Sequence, residues 1–133
     1  MVLMKCLLIL LLLKTLENLW DLYLEPLDKK SVYFAGDTIL HDYVELALKK
    51  YKPDIIVVNA AQAVYEGLVG SSMMGPDDVK KIYEMCKESK IISVHMDCYC
   101  HCLCTIEKMK KFVEENKLQD RVLVPCDGEI LKF

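Results

Sequence analysis

The residues of this chain able to do chemistry lie just beyond its short apolar runs. Gly36-Asp37-Thr38 comes after Ser31-Val-Tyr-Phe-Ala35, Asn59 after Ile55-Ile-Val-Val58, His95-Met96-Asp97 after Ile91-Ile-Ser-Val94, and Asp127 after Val122-Leu-Val124. A carboxylate oxygen and an imidazole nitrogen both bind zinc, at about 2.0–2.2 Å. Asp37 and His95, brought to one rim, are therefore the candidate metal ligands and the candidate catalytic pair. Both have plainer uses. Asp37 ahead of Leu40 can cap a helix by accepting from its free amides, and a strand-end histidine can sit neutral against the backbone. The other imidazoles are His41, read as a surface group and, through its nearness to Asp37, as the weaker ligand candidate, and His101, read in the same way or as a contact to substrate or to a metal ligand. Asp97 and Asp127 suit carboxylates that orient a metal ligand by hydrogen bonding.

A second cluster, Cys98-Tyr-Cys100-His101-Cys102-Leu-Cys104, offers thiolates that zinc or copper(I) would accept. Its C-x-C spacing departs from the wider spacing of structural zinc sites, so packing and oxidation-sensitive thiols are the competing reading.

For the strand-end residues to meet, the chain between them must alternate strand and helix. Leu40, Tyr43, Val44, Ala47 and Tyr51 fall on one helical face that ends before Pro53. Pro76, Asp77 and Asp78 open a second helix, with Val79, Ile82, Tyr83 and Cys86 on its apolar face. Thr105 can cap a third, burying Ile106, Met109 and Val113. The stretch from Asn59 to Gly75 reads as a long loop. Trp20–Glu25 alternates in polarity, and the turn residues Pro26–Lys30 make it a hairpin with the strand that follows. Val122–Val124 and Ile130–Phe133 read as short strands around a tight Asp127-Gly128 turn. The predicted class is α/β: a mixed, mostly parallel sheet with three helices and an initial β-hairpin. In such sheets ligands bind beyond the carboxyl ends of the strands, where the candidate residues stand.

Composition narrows the partners. With 133 residues and 53% hydrophobic content the chain is long and apolar enough for one core. Its 17 basic and 20 acidic residues are scattered, for a net charge of −3, with no basic stripe to follow a nucleic acid. A small-molecule substrate is expected instead. Seven cysteines, an odd and crowded set, fit reduced thiols in a cytoplasm better than a disulfide framework. The apolar run Cys6–Leu13 gives residues 1–19 the look of a signal peptide, the alternative to a cytoplasmic location. It meets Lys14, Glu17 and Asp21, too soon for the ~20 apolar residues of a membrane span. The division expected is a hydrophobic segment, 1–19, and an α/β unit, 20–133.

The succession Gly36-Asp37-Thr38, Pro53-Asp54-Ile-Ile-Val-Val-Asn59-Ala60, Met74-Gly-Pro-Asp-Asp-Val79, Val94-His95-Met96-Asp97 and Pro125-Cys-Asp127-Gly128-Glu129 resembles the metallo-β-lactamase-fold hydrolases related to the ascorbate-6-phosphate lactonases. The resemblance runs from about Trp20 to Phe133. It implies half of an αββα sandwich, with Asp37 bridging two metal ions and His95 binding one. It also implies metal-activated water attacking an ester, lactone or phosphoester, with zinc the expected metal and manganese or iron the alternatives. The family's His-x-His-x-Asp-His motif has no counterpart in residues 1–31. The chain therefore resembles a carboxyl-terminal half, whose sheet would keep one face uncovered. A second copy in a homodimer, a complementary amino-terminal half, or the opening segment folded back would cover it. The alternative is a catalytically inactive remnant or a self-associating α/β module.

Overall fold

The computed structural model describes residues 22–24, 29–67, 69–97 and 100–133. The expectations for the Leu-rich opening, for Trp20, Glu25 and the turn after it, and for Cys98 fall outside the described residues. The elements run β1 (Leu22–Leu24), β2 (Val32–Phe34), α1 (Asp42–Tyr51), β3 (Ile55–Asn59), α2 (Pro76–Met85), β4 (Lys90–Val94), α3 (Ile106–Glu115) and β5 (Val122–Leu123). The strands form one sheet in the order β1-β2-β3-β4-β5. β1 pairs antiparallel to β2, and the other neighbours are parallel. The α/β reading, the initial hairpin and the three helices are all present. Ile130–Phe133 does not form a strand; Phe133 instead folds back to Lys90, whose ammonium lies 5.8 Å from the ring centroid.

Each helix starts and stops for a local reason. His41 caps α1, its Nδ1 accepting from the Tyr43 amide. At the other end Lys52 turns left-handed (φ 44°) ahead of Pro53, which cannot continue the helix. Gly75 opens α2, where its N–H donates to the Asp78 carboxylate at 3.1 Å. A Cβ at Gly75 would stand 3.0 Å from Gln62 Cδ, so any other residue there would force the Gln62 side chain to give by a few tenths of an ångström. Thr105 caps α3 through the Lys108 amide, as its position in the sequence predicts.

Alternation along the strands sorts the two faces of the sheet. Tyr33, Ile56, Val58, Ile91 and Val122 are buried in a single core with Val44 and Leu48 of α1, Val79 and Ile82 of α2, and Met109 and Val113 of α3. All three helices therefore cover the same face. The intervening strand residues point the other way. Phe34, Val57, Ile92 and Leu123 are in register across four strands and all keep some exposure, Phe34 reaching 38%. This opposite face is apolar and carries no helix among the described residues, although Ile55 on it is buried. The helical face predicted for α1 is narrower than expected, because Tyr43 is half exposed and Val44 and Leu48 carry the contact.

Candidate metal centre

Asp37 and His95 meet at the carboxyl rim of the sheet. The Asp37 carboxylate lies 4.0 Å from His95 Nε2, and the two side chains are 58% and 33% exposed. Asn59, the last residue of β3, donates from Nδ2 to Asp37 Oδ1 at 2.6 Å. Asn59 alternates with Val58 and so belongs to the outer, apolar face. The Asp37 carboxylate is thereby drawn to that side of the rim.

Two donors at tetrahedral angles around one zinc, each at about 2.0–2.2 Å, stand about 3.3–3.5 Å apart. The 4.0 Å separation needs only a small side-chain rotation to close on a metal. The donor types and their spacing thus fit part of a metal site. Among the described residues, however, the site is incomplete: no group of three or more His, Cys, Asp or Glu side chains converges to hold a metal ion.

The backbone around the pair is held in unusual conformations. His95 (φ 63°) and Asp97 (φ 60°) both take left-handed geometry, which costs an L-residue roughly 1–2 kcal/mol. Strain of this kind persists where the surroundings fix it, and it gathers at functional sites. Asp97 is fixed by its carboxylate, which accepts from the Ile106 amide at 3.0 Å and so supports the start of α3. That contact makes Asp97, two residues after His95, a second support for the start of α3 beside the Thr105 cap. Asp127 is exposed and lines a cavity of about 190 Å³ that His95, Met96, Ile106 and Cys126 also line. His41 is spent on its cap. His101 stacks on Tyr65, with ring centroids 4.5 Å apart. Its carbonyl accepts from Val64, which ties the loop before α2 to the loop before α3.

Two neighbours escaped the sequence reading. Asn59 was legible only as a strand-end residue, and nothing in its spacing says that it grips Asp37. Cys126 lies in the cavity beside His95 with Lys110 Nζ 3.1 Å from its sulfur, a contact between segments far apart in sequence. On the other flank of Asp37, a cavity of about 330 Å³ is lined by Thr38, Ile39 and residues 69–72.

The thiol cluster does not assemble a metal site among the described residues. Cys100 is exposed, whereas Cys104 is buried and donates to the Thr105 carbonyl. Burial pushes the Cys104 thiol up to about 11, so it stays protonated at neutral pH and supplies no thiolate.

No protein-family model matches the chain. Among curated proteins it is 34% identical over 122 residues to the UPF0173 protein YddR of Bacillus subtilis, covering 92% of this chain and 48% of that protein. It is 30% identical to a UPF0173 metal-dependent hydrolase of Thermococcus onnurineus, over 84% of this chain and 45% of the relative. Among solved structures it superposes on a "possible metal-dependent hydrolase" from Veillonella parvula with a TM-score of 0.79 at 35% identity, covering 82% of this chain and 42% of that one. An isothiocyanate hydrolase from Delia radicum gut bacteria gives a TM-score of 0.80 at 34% identity, over 85% of this chain and 43% of the other. No helix among the described residues is long and apolar enough to cross a membrane. By sequence and by fold the chain is similar to UPF0173 proteins, among them metal-dependent hydrolases, and it spans about half the length of the curated relatives it matches.

Proposed function

We propose that the chain is the carboxyl-terminal half of a hydrolase in which Asp37 and His95 hold a divalent metal, zinc in the first instance, and further ligands come from outside the described residues. The observation that carries this reading is the 4.0 Å approach of a carboxylate and an imidazole at the carboxyl rim, in a chain related to metal-dependent hydrolases. A bound metal supplies a water that ionises near pH 7 rather than at about 15.7, and it polarises the oxygen under attack. Asn59 holds the Asp37 carboxylate on the outer side of the rim. The cavities flanking Asp37 and His95 receive the rest of the substrate.

An ester, lactone or phosphoester suits this arrangement. The likeness to an isothiocyanate hydrolase adds an electrophilic heterocumulene carbon to the substrate classes. Elemental analysis of protein purified without chelator tests the reading. Near-stoichiometric zinc, manganese or iron that disappears in Asp37→Ala supports it, and metal-free protein that hydrolyses none of these substrates sinks it. The second reading is an inactive remnant, favoured by the shortage of donors among the described residues. Hydrolysis by the purified chain that Asp37→Ala abolishes would remove it.

A further inference from the structure

We infer that a second copy of this chain packs on the outer face of the sheet and completes the metal site. This inference rests on the reading of Asp37 and His95 as metal ligands. The outer face carries the cross-strand row Phe34, Val57, Ile92 and Leu123, flanked by Val32 toward one rim and by Val94, partnered with Asn59, toward the other. Each of these residues retains solvent exposure, whereas Ile55, beside Val32 on the same face, is buried, and Lys90 completes that row. The apolar row runs up to the site itself, because Asn59 of the same face holds Asp37.

Geometry favours a copy of the same chain. A two-fold axis parallel to the strands places both carboxyl rims at the same end of a face-to-face pair. Packed sheets lie about 10 Å apart, so the Asp37 carboxylate on the outer side of each rim, with His95 Nε2 4.0 Å from it, need reach only about half that distance to a common point. Two Asp37 carboxylates and two His95 imidazoles then supply the four donors that a zinc ion takes.

The face alone is too small for a lasting dimer. Five strands of two to five residues, about 4.8 Å apart and rising about 3.3 Å per residue, present roughly 300 Å², against about 800 Å² per partner in a standard interface. Pairing should therefore depend on the shared metal.

The test is solution mass by light scattering together with zinc stoichiometry by equilibrium dialysis, on the full chain with and without zinc. The expected result is a 15.3 kDa species that doubles in mass on taking up one zinc per two chains. Val57→Asp, which places a charge in the centre of the face, should leave the chain monomeric and weaken zinc uptake at least tenfold. Val57→Thr keeps the size and β-branching, and should dimerise. Asp37→Ala should abolish the zinc-driven doubling while leaving the face unchanged. One zinc per monomer with no change in mass overturns the inference, as does a dimer indifferent to both zinc and Val57→Asp. Zinc uptake only in a complex with a separate amino-terminal half overturns it too. A zinc-linked dimer that hydrolyses nothing leaves it standing and refutes the hydrolase reading, whereas a hydrolytic zinc-bound monomer does the reverse.

Discussion

The two rims of the sheet are built to opposite rules. At the amino rim polar groups are tightly paired. Asp54 accepts from the Ser31 amide and hydroxyl at 2.8 Å each, and its own amide donates to the Ser31 hydroxyl at 3.0 Å. Ser89 donates to the Pro53 carbonyl at 2.6 Å. Arg121 lies over the Tyr83 ring and donates to the carbonyls of Tyr83, Cys86 and Ser89, closing the end of α2 with the charge that a helix carboxyl terminus favours. The carboxyl rim instead presents an exposed carboxylate, a partly exposed imidazole and two strained backbones. The largest of the three cavities described, about 460 Å³ and walled by Lys49, Lys52, Cys86 and Lys87, opens at the amino rim, away from these groups. Cavity size is therefore a poor guide here, and an incompletely satisfied donor set is a better one.

The largest effect expected of a change at the amino rim is that of Arg121→Ala. It strips three carbonyls of a charged donor and exposes Tyr83, and since each hydrogen bond to a charged group is worth about 1.5–3 kcal/mol, unfolding free energy should fall by about 3 kcal/mol in a urea titration. Metal content should not change. A loss below about 1 kcal/mol would mean that the amino rim is a surface decoration and not an anchor.

Asp54 gives a smaller effect with a pH signature. Donation from the Ser31 amide and hydroxyl holds its carboxyl below the ordinary value of 3.8. Because the folded pKa is the lower one, this stabilisation is complete above the ordinary value and is lost as pH falls through the folded value. Asp54→Asn should cost about 1 kcal/mol near neutral pH. It should also flatten the decline in stability below about pH 4, which acid unfolding monitored by circular dichroism would detect.

Much of this asymmetry is legible in the sequence, and the remainder has physical causes. Periodicity finds α2 and α3 because Val79, Ile82, Met109 and Val113 recur at helical spacing and Pro76 and Thr105 mark the starts. It overreaches at Ile130–Phe133, where an apolar pattern has no neighbouring strand to pair with and Phe133 turns back on Lys90. Convergence of Asp37 and His95 follows from the strand-end rule. The cap on α1, which Asp37 could also have supplied, falls to His41, because the helix begins later, at Asp42. Asn59 gripping Asp37 and Lys110 beside Cys126 join residues 22 and 16 apart in sequence, and no local pattern encodes such pairs.

The smallest stability change, and the sharpest probe of the carboxyl rim, is expected at His95. Its left-handed backbone costs an L-residue roughly 1–2 kcal/mol. Glycine removes that strain but loosens the unfolded chain, a penalty of about 0.4–1 kcal/mol. His95→Gly should therefore raise stability by about 0.5 kcal/mol while abolishing metal binding. His95→Asn, a side chain that tolerates left-handed geometry, should leave stability near that of the parent and also lose the metal. Thermal unfolding and elemental analysis on the same preparations separate the two quantities. If His95→Gly instead loses more than about 1 kcal/mol, the imidazole holds the rim together. The strain at His95 would then belong to the fold, and the contrast between the two rims would disappear.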